Sequence, residues 1–286
     1  MKLFADRGWN PRHDLGQNFL IDLNLHDYII REAELTERDV VLEVGAGTGG
    51  LTKQLGEHAG AVVSVEYDKH VASLAADALA DSPRVNLLVM DILHNKSTLA
   101  PVVMDALREQ LSRDPERRIK LVANLPYHVA GPILANLIAS DLPWVRMIVT
   151  IQYEAAQRLE AASGTDDYSA LSVWIQSQAR IKILKKLSPQ VFWPRPKVDS
   201  AIVRIDPDPE AAARISNRPF LQDFLRQLFT HRRKTLRTVM GMFFSERMSK
   251  PDVETFLQQR NLSETIRAEE VPVAVLVEFA NRLSVA

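Results

Sequence analysis

Apolar runs of strand length alternate with helix-like segments through the first two thirds of the chain. Asp22 is a candidate N-cap for a helix that runs to about Glu34, and Thr48 is a candidate N-cap for the helix after the first strand. Continuous apolar strands separated by helices are typical of a parallel sheet that is covered on both faces. The predicted strands are Val40–Val44, Ala61–Val65, Val85–Met90, Ile119–Ala123 and Arg146–Ile151.

Two more strands are predicted near Arg180–Leu187 and Asp199–Ile205. The connection between them, Ser188–Val198, is too short for a crossover helix, so this pair should be antiparallel. The predicted fold class is therefore α/β, with a doubly wound, mostly parallel sheet that carries an antiparallel edge hairpin.

A cluster of helix breakers, Asp206–Pro209, separates this pattern from a wholly helical one. Ser249 or Asp252 is a candidate start of one helix, and Val271–Leu283 is predicted to form the last. We therefore expect two domains, residues 1–207 and 208–286. Before those two helices, apolar residues recur at helical spacing at Phe220, Phe224, Leu225, Leu228 and Phe229.

Composition narrows the function classes. The chain of 286 residues suits one large or two smaller domains, and the absence of Cys excludes disulfides, thiolate zinc sites and cysteine nucleophiles. The seven His residues show no metal-ligand spacing, so no metal is expected. We see no secretory signal and no apolar run long enough to span a bilayer, and we expect a cytoplasmic protein without a membrane partner.

Charge is distributed unevenly along the chain. The net charge is −1, yet residues 180–240 carry 14 Lys and Arg against 5 Asp and Glu. A basic segment on a nearly neutral protein indicates a surface for an anionic polymer, although a solvated charged surface is the commoner cause of such a run.

A glycine-rich turn follows the first predicted strand. Gly45, Gly47 and Gly50 allow a tight turn and a close approach of the backbone to a ligand. The same spacing fits the dinucleotide fingerprint, so an NAD-dependent oxidoreductase is one interpretation.

Carboxylates near the ends of three successive strands favour a different cofactor. Glu43 precedes the glycine turn, where it would repel a pyrophosphate and tolerate a cation. Glu66 ends the second strand and could bind both hydroxyls of a ribose, while Asp91 follows the third within reach of a cofactor adenine. S-adenosylmethionine carries a sulfonium and an ammonium, and this arrangement suits it.

The sequence Asn124, Leu125, Pro126, Tyr127 closes the fourth predicted strand. An amide oxygen and the Leu125 carbonyl can each accept a hydrogen from an exocyclic amine, and the Tyr127 ring can stack on the base that carries it. These residues predict a pocket for an adenine taken out of its stack. A strand that ends in an ordinary proline turn with a core tyrosine is the alternative.

Together these motifs resemble the ribosomal RNA adenine N6,N6-dimethyltransferase family, specifically its small-subunit (KsgA-type) branch. The resemblance implies a Rossmann-like class I methyltransferase sheet followed by a small all-α RNA-binding domain. The matching stretches are Leu15–Leu20, Val41–Thr52, Val65–Asp68, Asp91–Leu93, Asn124–Tyr127, Lys197–Arg204 and Arg232–Arg237.

The resemblance also assigns residue roles. An N-terminal arm, residues 1–21, should fold over the cofactor, and Asn124 to Tyr127 should grip the target adenine with Phe192 on its other face. For Phe192, core packing beside a proline-rich turn is the alternative. The implied S-adenosylmethionine-binding residues are Asn18, Leu20, Gly45, Gly47, Glu66, Asp91 and Asn124.

The basic residues Arg232, Arg233, Lys234 and Arg237, together with Lys197, are predicted to contact RNA phosphates. The segment 231–237 is predicted to be helical, so Arg233 and Arg237 should share one face and could bridge neighbouring phosphates.

The activity that the resemblance implies is dimethylation of two adjacent adenosines near the 3′ end of small-subunit (16S) rRNA, with a role in small-subunit biogenesis. The partner would be that rRNA or a pre-30S particle, and a monomer is the default expectation. One alternative is the large-subunit (23S) branch, which gives macrolide resistance and which Pro194–Lys197 resembles; a non-catalytic rRNA-binding assembly factor is another. The chain departs from the family pattern at His128–Gly131 and Ser169–Ala170.

Overall fold

The computed structural model describes residues 11–12 and 16–285. The rest of the predicted N-terminal arm lies outside the described residues. The chain divides into two compact units: residues up to 156 together with 182–207, and residues 157–181 together with 208 onward. The two predicted domains stay a prediction, although a unit limit falls at the predicted linker.

Strands of the first unit form three sheets. The large sheet has seven strands, and each of the other two has two strands. The strands are β1 (Phe19–Leu20), β2 (Asp39–Val44), β3 (Ala61–Glu66), β4 (Val85–Val89), β5 (Leu93–Asn95), β6 (Thr98–Leu99), β7 (Arg118–Asn124), β8 (Trp144–Gln152), β9 (Ala179–Leu187), β10 (Phe192–Trp193) and β11 (Ser200–Pro207).

The order in the large sheet is β4-β3-β2-β7-β8-β11-β9. Strands β4, β3, β2, β7 and β8 are parallel, and β11 runs antiparallel to β8. All the residues of β2 and β3 are buried, as expected for strands that helices cover on both faces. The predicted fold class and all seven predicted strands are confirmed. The order reverses between β2 and β7, the position where open α/β sheets bind ligands.

Helix starts were predicted correctly in two places and wrongly in one. Asp22 caps α1 through a hydrogen bond from the Asn24 amide, and Ser249 and Asp252 form a capping box at the start of α11. Thr48 does not cap α2, because the cap is Gly49 with a φ of 83°, a left-handed conformation that favours glycine. The helices are α1 (Leu23–Ala33), α2 (Gly50–His58), α3 (Lys69–Ala78), α4 (Pro101–Ser112), α5 (Ala130–Ala139), α6 (Tyr153–Glu160), α7 (Ala170–Gln176), α8 (Pro209–Ala212), α9 (Arg218–Thr230), α10 (Leu236–Phe243), α11 (Lys250–Gln258) and α12 (Val273–Val285).

The second unit is helical, and aromatic rings fill its core. Phe224, Phe256 and Phe279 are fully buried and contact one another in edge-on and stacked pairs. The predicted helix through the basic segment is wrong, since residues 231–234 form a turn and α10 starts only after Thr235, which caps it. Arg233 and Arg237 therefore do not share a helical face.

Candidate functional site

A cavity of about 250 Å³ opens at the carboxyl ends of β2, β3, β4 and β7. Because the predicted site residues follow these strand ends, most of them meet there. Those that line the cavity are Asn18, Gly45, Gly47, Glu66, Asp91, Asn124, Leu125, Pro126 and Tyr127.

The glycine turn forms the floor of the cavity. Gly45 and Gly47 have positive φ angles of 86° and 57°. A Cβ on Gly47 would lie 3.1 Å from the Phe19 ring, and a Cβ on Gly45 would lie 3.5 Å from the Asn124 carbonyl oxygen. Side chains at these positions would strain the backbone and crowd the space where a ligand approaches it.

Glu66 is the buried carboxylate of the site. Its oxygens accept hydrogen bonds from the Gly47 amide at 3.0 Å and the Asp68 amide at 2.9 Å. Burial raises the pKa of this carboxyl, and hydrogen bonds from the backbone of Asp68, Gly47 and Tyr67 oppose the rise. A carboxylate has about four acceptor positions, so it can still accept hydrogen bonds from a ribose diol.

Asp91 borders the same cavity from a more exposed position. One of its oxygens accepts a hydrogen bond from the Leu93 amide at 2.8 Å, which fixes the turn after β4. The other oxygen is available for a polar edge of a ligand.

Asn124 presents an acceptor that nothing in the described residues satisfies. Its amide nitrogen donates to the Asn18 carbonyl oxygen at 2.9 Å. Its Oδ1 is buried and has no hydrogen-bond partner among the described residues. Leaving a buried acceptor unpaired costs about 1–3 kcal/mol, and because Asn124 borders the cavity this atom is a candidate contact for a ligand.

A contact with β11 holds the Tyr127 side chain in place. Its hydroxyl lies 2.7 Å from the Ser200 Oγ on β11, and its half-buried ring borders the cavity. Burial raises the pKa of the phenol, so the ring is neutral at physiological pH. His128 follows at the exposed rim.

Two predicted residues do not line the cavity. Phe192 is only 3% exposed and packs in the hydrophobic core with Leu20, which was predicted to bind the cofactor. These residues are direct partners in the short pairing of β1 with β10. Core packing, one of the two interpretations of Phe192, describes its placement, and its contact with a base stays a prediction. Lys197 is exposed.

The interpretation of Glu43 as a carboxylate beside the cofactor is wrong. Its side chain is 1% exposed, and its Oε2 accepts a hydrogen bond from the Ser64 hydroxyl at 2.6 Å within the sheet. It is not among the residues that border the cavity. Burial raises the pKa of Glu43 to about 7.

Sequence reasoning missed two contributors. The Gln17 amide nitrogen donates to an Asp68 carboxylate oxygen at 3.0 Å, which ties the segment before β1 to the start of α3. Tyr67, 58% exposed, borders the cavity beside Glu66. The only available signals were the place of Gln17 within the Leu15–Leu20 motif and the adjacency of Tyr67 to a functional carboxylate.

The predicted RNA-contacting residues fall into two kinds. Arg232 donates to Glu269 at 2.7 Å, and Arg237 donates to Glu254 at 2.7 Å. Arg233 and Lys234 are exposed, and no ion pair involves them in the part of the chain that the structure describes. Within those same residues no group of acidic or histidine side chains is arranged for a metal ion, and no helix has the length and apolarity to cross a bilayer.

The sequence profile described as ribosomal RNA adenine dimethylase matches residues 8–281. The chain belongs to this family. A small-subunit rRNA methyltransferase A from Streptococcus pneumoniae is 35% identical to this dimethylase over 277 residues, which cover 96% of this chain and 93% of the relative.

Solved structures show the same fold. A dimethyladenosine transferase from Plasmodium falciparum matches the dimethylase with a TM-score of 0.70 and 21% identity, covering 92% of this chain and 98% of that one. The 23S rRNA methyltransferase ErmE matches with a TM-score of 0.66 and 22% identity, covering 93% and 100%. The enzymes of this family use S-adenosylmethionine. The glycine floor, the Glu66 carboxylate and the unpaired Asn124 oxygen fit that cofactor and its substrate.

Proposed function

We propose that this dimethylase methylates N6 of two adjacent adenosines near the 3′ end of small-subunit rRNA, twice each. The observation that carries the chemistry is the buried, unpartnered Oδ1 of Asn124 at the end of β7. The choice of small-subunit rRNA is supported by the name of the relatives, such as the Streptococcus pneumoniae methyltransferase.

Asn18, Gly45, Gly47, Glu66 and Asp91 are the residues that would hold S-adenosylmethionine, which supplies an electrophilic methyl group on its sulfonium. Glu66 offers two acceptors of the spacing that a ribose diol needs. Gly45 and Gly47 have positive φ angles, a conformation that favours glycine. Because glycine has no side chain, none projects from the floor at these positions. Asp91 is placed for the polar edge of the cofactor adenine.

Asn124 and Leu125 act on the target adenine. Its exocyclic nitrogen is a poor nucleophile, because its lone pair is delocalised into the ring. In the first transfer, the Asn124 Oδ1 and the Leu125 carbonyl oxygen accept hydrogen bonds from its two N–H groups, which draws the nitrogen toward tetrahedral geometry. Both oxygens also stabilise the positive charge that develops on the nitrogen during transfer, a preorganised electrostatic effect.

Tyr127 provides the surface on which the target base stacks. The Ser200 hydrogen bond fixes the ring at the cavity wall, so stacking does not require the ring to be ordered first. Stacking offsets part of the cost of unstacking the adenine from its neighbours in RNA.

No side chain needs to remove the proton. The methylated nitrogen is a strongly acidic ammonium and loses its proton to water. His128 at the exposed rim is therefore not required as a base, which separates this site from those that depend on a general base.

Exposed cations are the side chains that would contact the RNA phosphates. Arg233 and Lys234 carry no described ion pair, so both charges are available to phosphates, and Lys197 is exposed as well. We place the enzyme in the cytoplasm, acting as a monomer on a pre-30S particle, with residues 208–286 as its RNA-binding domain.

Parallel methylation of two substrates tests the proposal. Purified 30S particles that lack adenine dimethylation, and 23S rRNA, would be incubated with enzyme and labelled cofactor, and the modified positions mapped. We expect label on adjacent adenosines of the small-subunit rRNA only. Label on 23S rRNA would instead support the large-subunit activity that Pro194–Lys197 resembles. Absence of label on both, with intact binding to 30S, would indicate a non-catalytic assembly factor.

A further inference from the structure

The Asn124 amide is oriented by a backbone atom. Its nitrogen donates to the Asn18 carbonyl oxygen at 2.9 Å, while its buried Oδ1 has no partner among the described residues and the residue borders the cavity. With the amide turned over, two acceptor oxygens would face each other at that distance. The Asn18 carbonyl therefore decides which end of the amide the substrate meets.

The segment that carries this carbonyl, residues 16–20, is here called the strap. One residue before Asn18, the Gln17 side chain donates to Asp68 at 3.0 Å, and the Asp68 amide donates in turn to Glu66 at 2.9 Å. The strap thus runs from the end of β3 to the end of β7, where it contacts Asn124. The strap is held by these two contacts and by the pairing of Phe19 and Leu20 with β10.

Gripping an amine does not by itself require an amide. A carboxylate also accepts hydrogens from an exocyclic amine, and it would stabilise the developing positive charge more strongly. A carboxylate at position 124 would, however, place a second acceptor against the Asn18 carbonyl. That contact distinguishes the two side chains.

We infer that the Asn18 carbonyl is a positioning group for methyl transfer, and that its contact with position 124 is the reason that this site uses an amide rather than a carboxylate. The inference rests on the proposed function for its catalytic consequence only. A protonated carboxyl satisfies the same contact, because its hydroxyl donates to the Asn18 carbonyl and its other oxygen stays free for the substrate.

The charged surroundings do not offer a carboxylate any compensation. The titratable side chains that border the cavity are Glu66, Tyr67, Asp91, Tyr127 and His128. No Lys or Arg borders it within the described residues. Two neighbouring carboxylates disfavour a third negative charge, so they act in the same direction as the strap.

The first test needs neither cofactor nor RNA. In Asn124→Asp protein, the introduced carboxyl would be titrated by carbon-13 NMR. We expect a pKa at least about 2 units above the ordinary aspartate value of about 3.9. Adding Gln17→Ala, which frees the strap from Asp68, should lower that pKa by about 1 unit. An ordinary pKa, or one that Gln17→Ala leaves unchanged, overturns the inference.

A matched control is available on the surface. Gln54 donates to Asp27 at 3.0 Å, the same residue type at the same distance as the Gln17 contact but away from the cavity. Gln54→Ala should leave the titration of the introduced carboxyl unchanged. A shift as large as that from Gln17→Ala would show that the strap is not the cause.

The second test measures single-turnover methyl transfer between pH 5.5 and 8.5. Asn124→Asp should regain at least about 10-fold activity as the pH falls through the pKa found by NMR, a rise that wild type lacks. At pH 8, Gln17→Ala should lower wild-type activity several-fold but raise that of Asn124→Asp. Equal losses in the two backgrounds would overturn the inference, because a merely structural role gives that result.

The two tests separate this inference from the proposed function. Wild-type protein that methylates no small-subunit RNA would contradict the function. The NMR titration would still decide whether the Asn18 carbonyl excludes a carboxylate.

Discussion

The two ends of the large sheet differ in whether their buried polar groups have partners. At the amino end, Asp39 on β2 is fully buried and contacts Arg118 at 2.8 Å and Lys120 at 3.0 Å. Lys120 donates further to the carbonyl oxygens of Ala33 and Glu34. Every charge there has a partner, as buried ions require.

Towards the carboxyl end of the same strands, partners are missing. Glu43, four residues after Asp39 on β2, has a serine and no cation, and the pKa of its carboxyl rises to about 7 because of burial. Asn124, four residues after Lys120 on β7, leaves its Oδ1 unpaired among the described residues. The buried ions at the amino end are satisfied within the fold, whereas Asn124, which borders the cavity, keeps an acceptor that a ligand could use.

Asn124→Ala should have the largest effect, because it removes the open acceptor. Losing one preorganised partner of the transition state lowers the rate by about 10²–10³-fold. Single-turnover methyl transfer would measure this loss, and calorimetry should show a much smaller loss of cofactor affinity. Asn86→Ala, the same change on the exposed edge strand β4, is the control. A rate within a few-fold of wild type would remove Asn124 from the mechanism.

Lys120→Met tests the amino end of the sheet, where the buried charges have partners. The change leaves Asp39 buried with fewer partners, so the free energy of unfolding should fall by about 3 kcal/mol. Urea denaturation measures it, with Lys53→Met on the exposed face of α2 as control. Methyl transfer by folded protein should stay within a few-fold of wild type. Unchanged stability would mean that the amino end does not depend on this ion network.

Glu43→Gln tests the pH dependence of stability. Because the pKa of Glu43 is raised in the folded state, its contribution is present below the unfolded pKa, about 4.5, and is lost as the pH rises through about 7. The amount is on the order of 3 kcal/mol. Denaturation at pH 5, 6, 7 and 8 should show this decline in wild type and in the Glu57→Gln surface control, but not in Glu43→Gln. An identical decline in all three proteins would contradict the raised pKa.

The same contrast between paired and open charges in residues 231–237 predicts the smallest effect. Arg233→Gln with Lys234→Gln should weaken RNA binding several-fold and reduce the slope of log affinity against log salt by about 1–2. Arg232→Gln should change the slope less, since Glu269 already engages that guanidinium. Binding titrations at several salt concentrations compare the variants. Equal slopes for all proteins would place the RNA contacts elsewhere.

Local sequence signals predicted the sheet and most of the site. Apolar runs predicted the strands because buried parallel strands have few other compositions. The site residues follow strand ends, and the carboxyl ends of parallel strands meet at one edge. Asn124 and Glu66 could therefore be placed together before the structure was known.

The errors come from local geometry that a sequence pattern does not fix. In a sheet covered on both faces, sequence cannot tell which face of β2 Glu43 points to, and the glycine turn required a left-handed residue at Gly49 rather than a capping Thr48. Pairing between distant segments is a separate matter, because the roles predicted for Leu20 and Phe192 stay predictions. The pairing of β1 with β10 buries Leu20 and Phe192 against each other. No local sequence pattern in either segment indicates this pairing.

The pairing of β1 with β10 also constrains how the enzyme is made. Phe19 and Leu20 emerge from the ribosome early, but their partners Trp193 and Phe192 are synthesised only after all the parallel strands. The parallel strands can assemble first, while the segment that orients Asn124 lacks its anchor. The segment that contacts Asn124 is thus translated long before the strand that pairs with it.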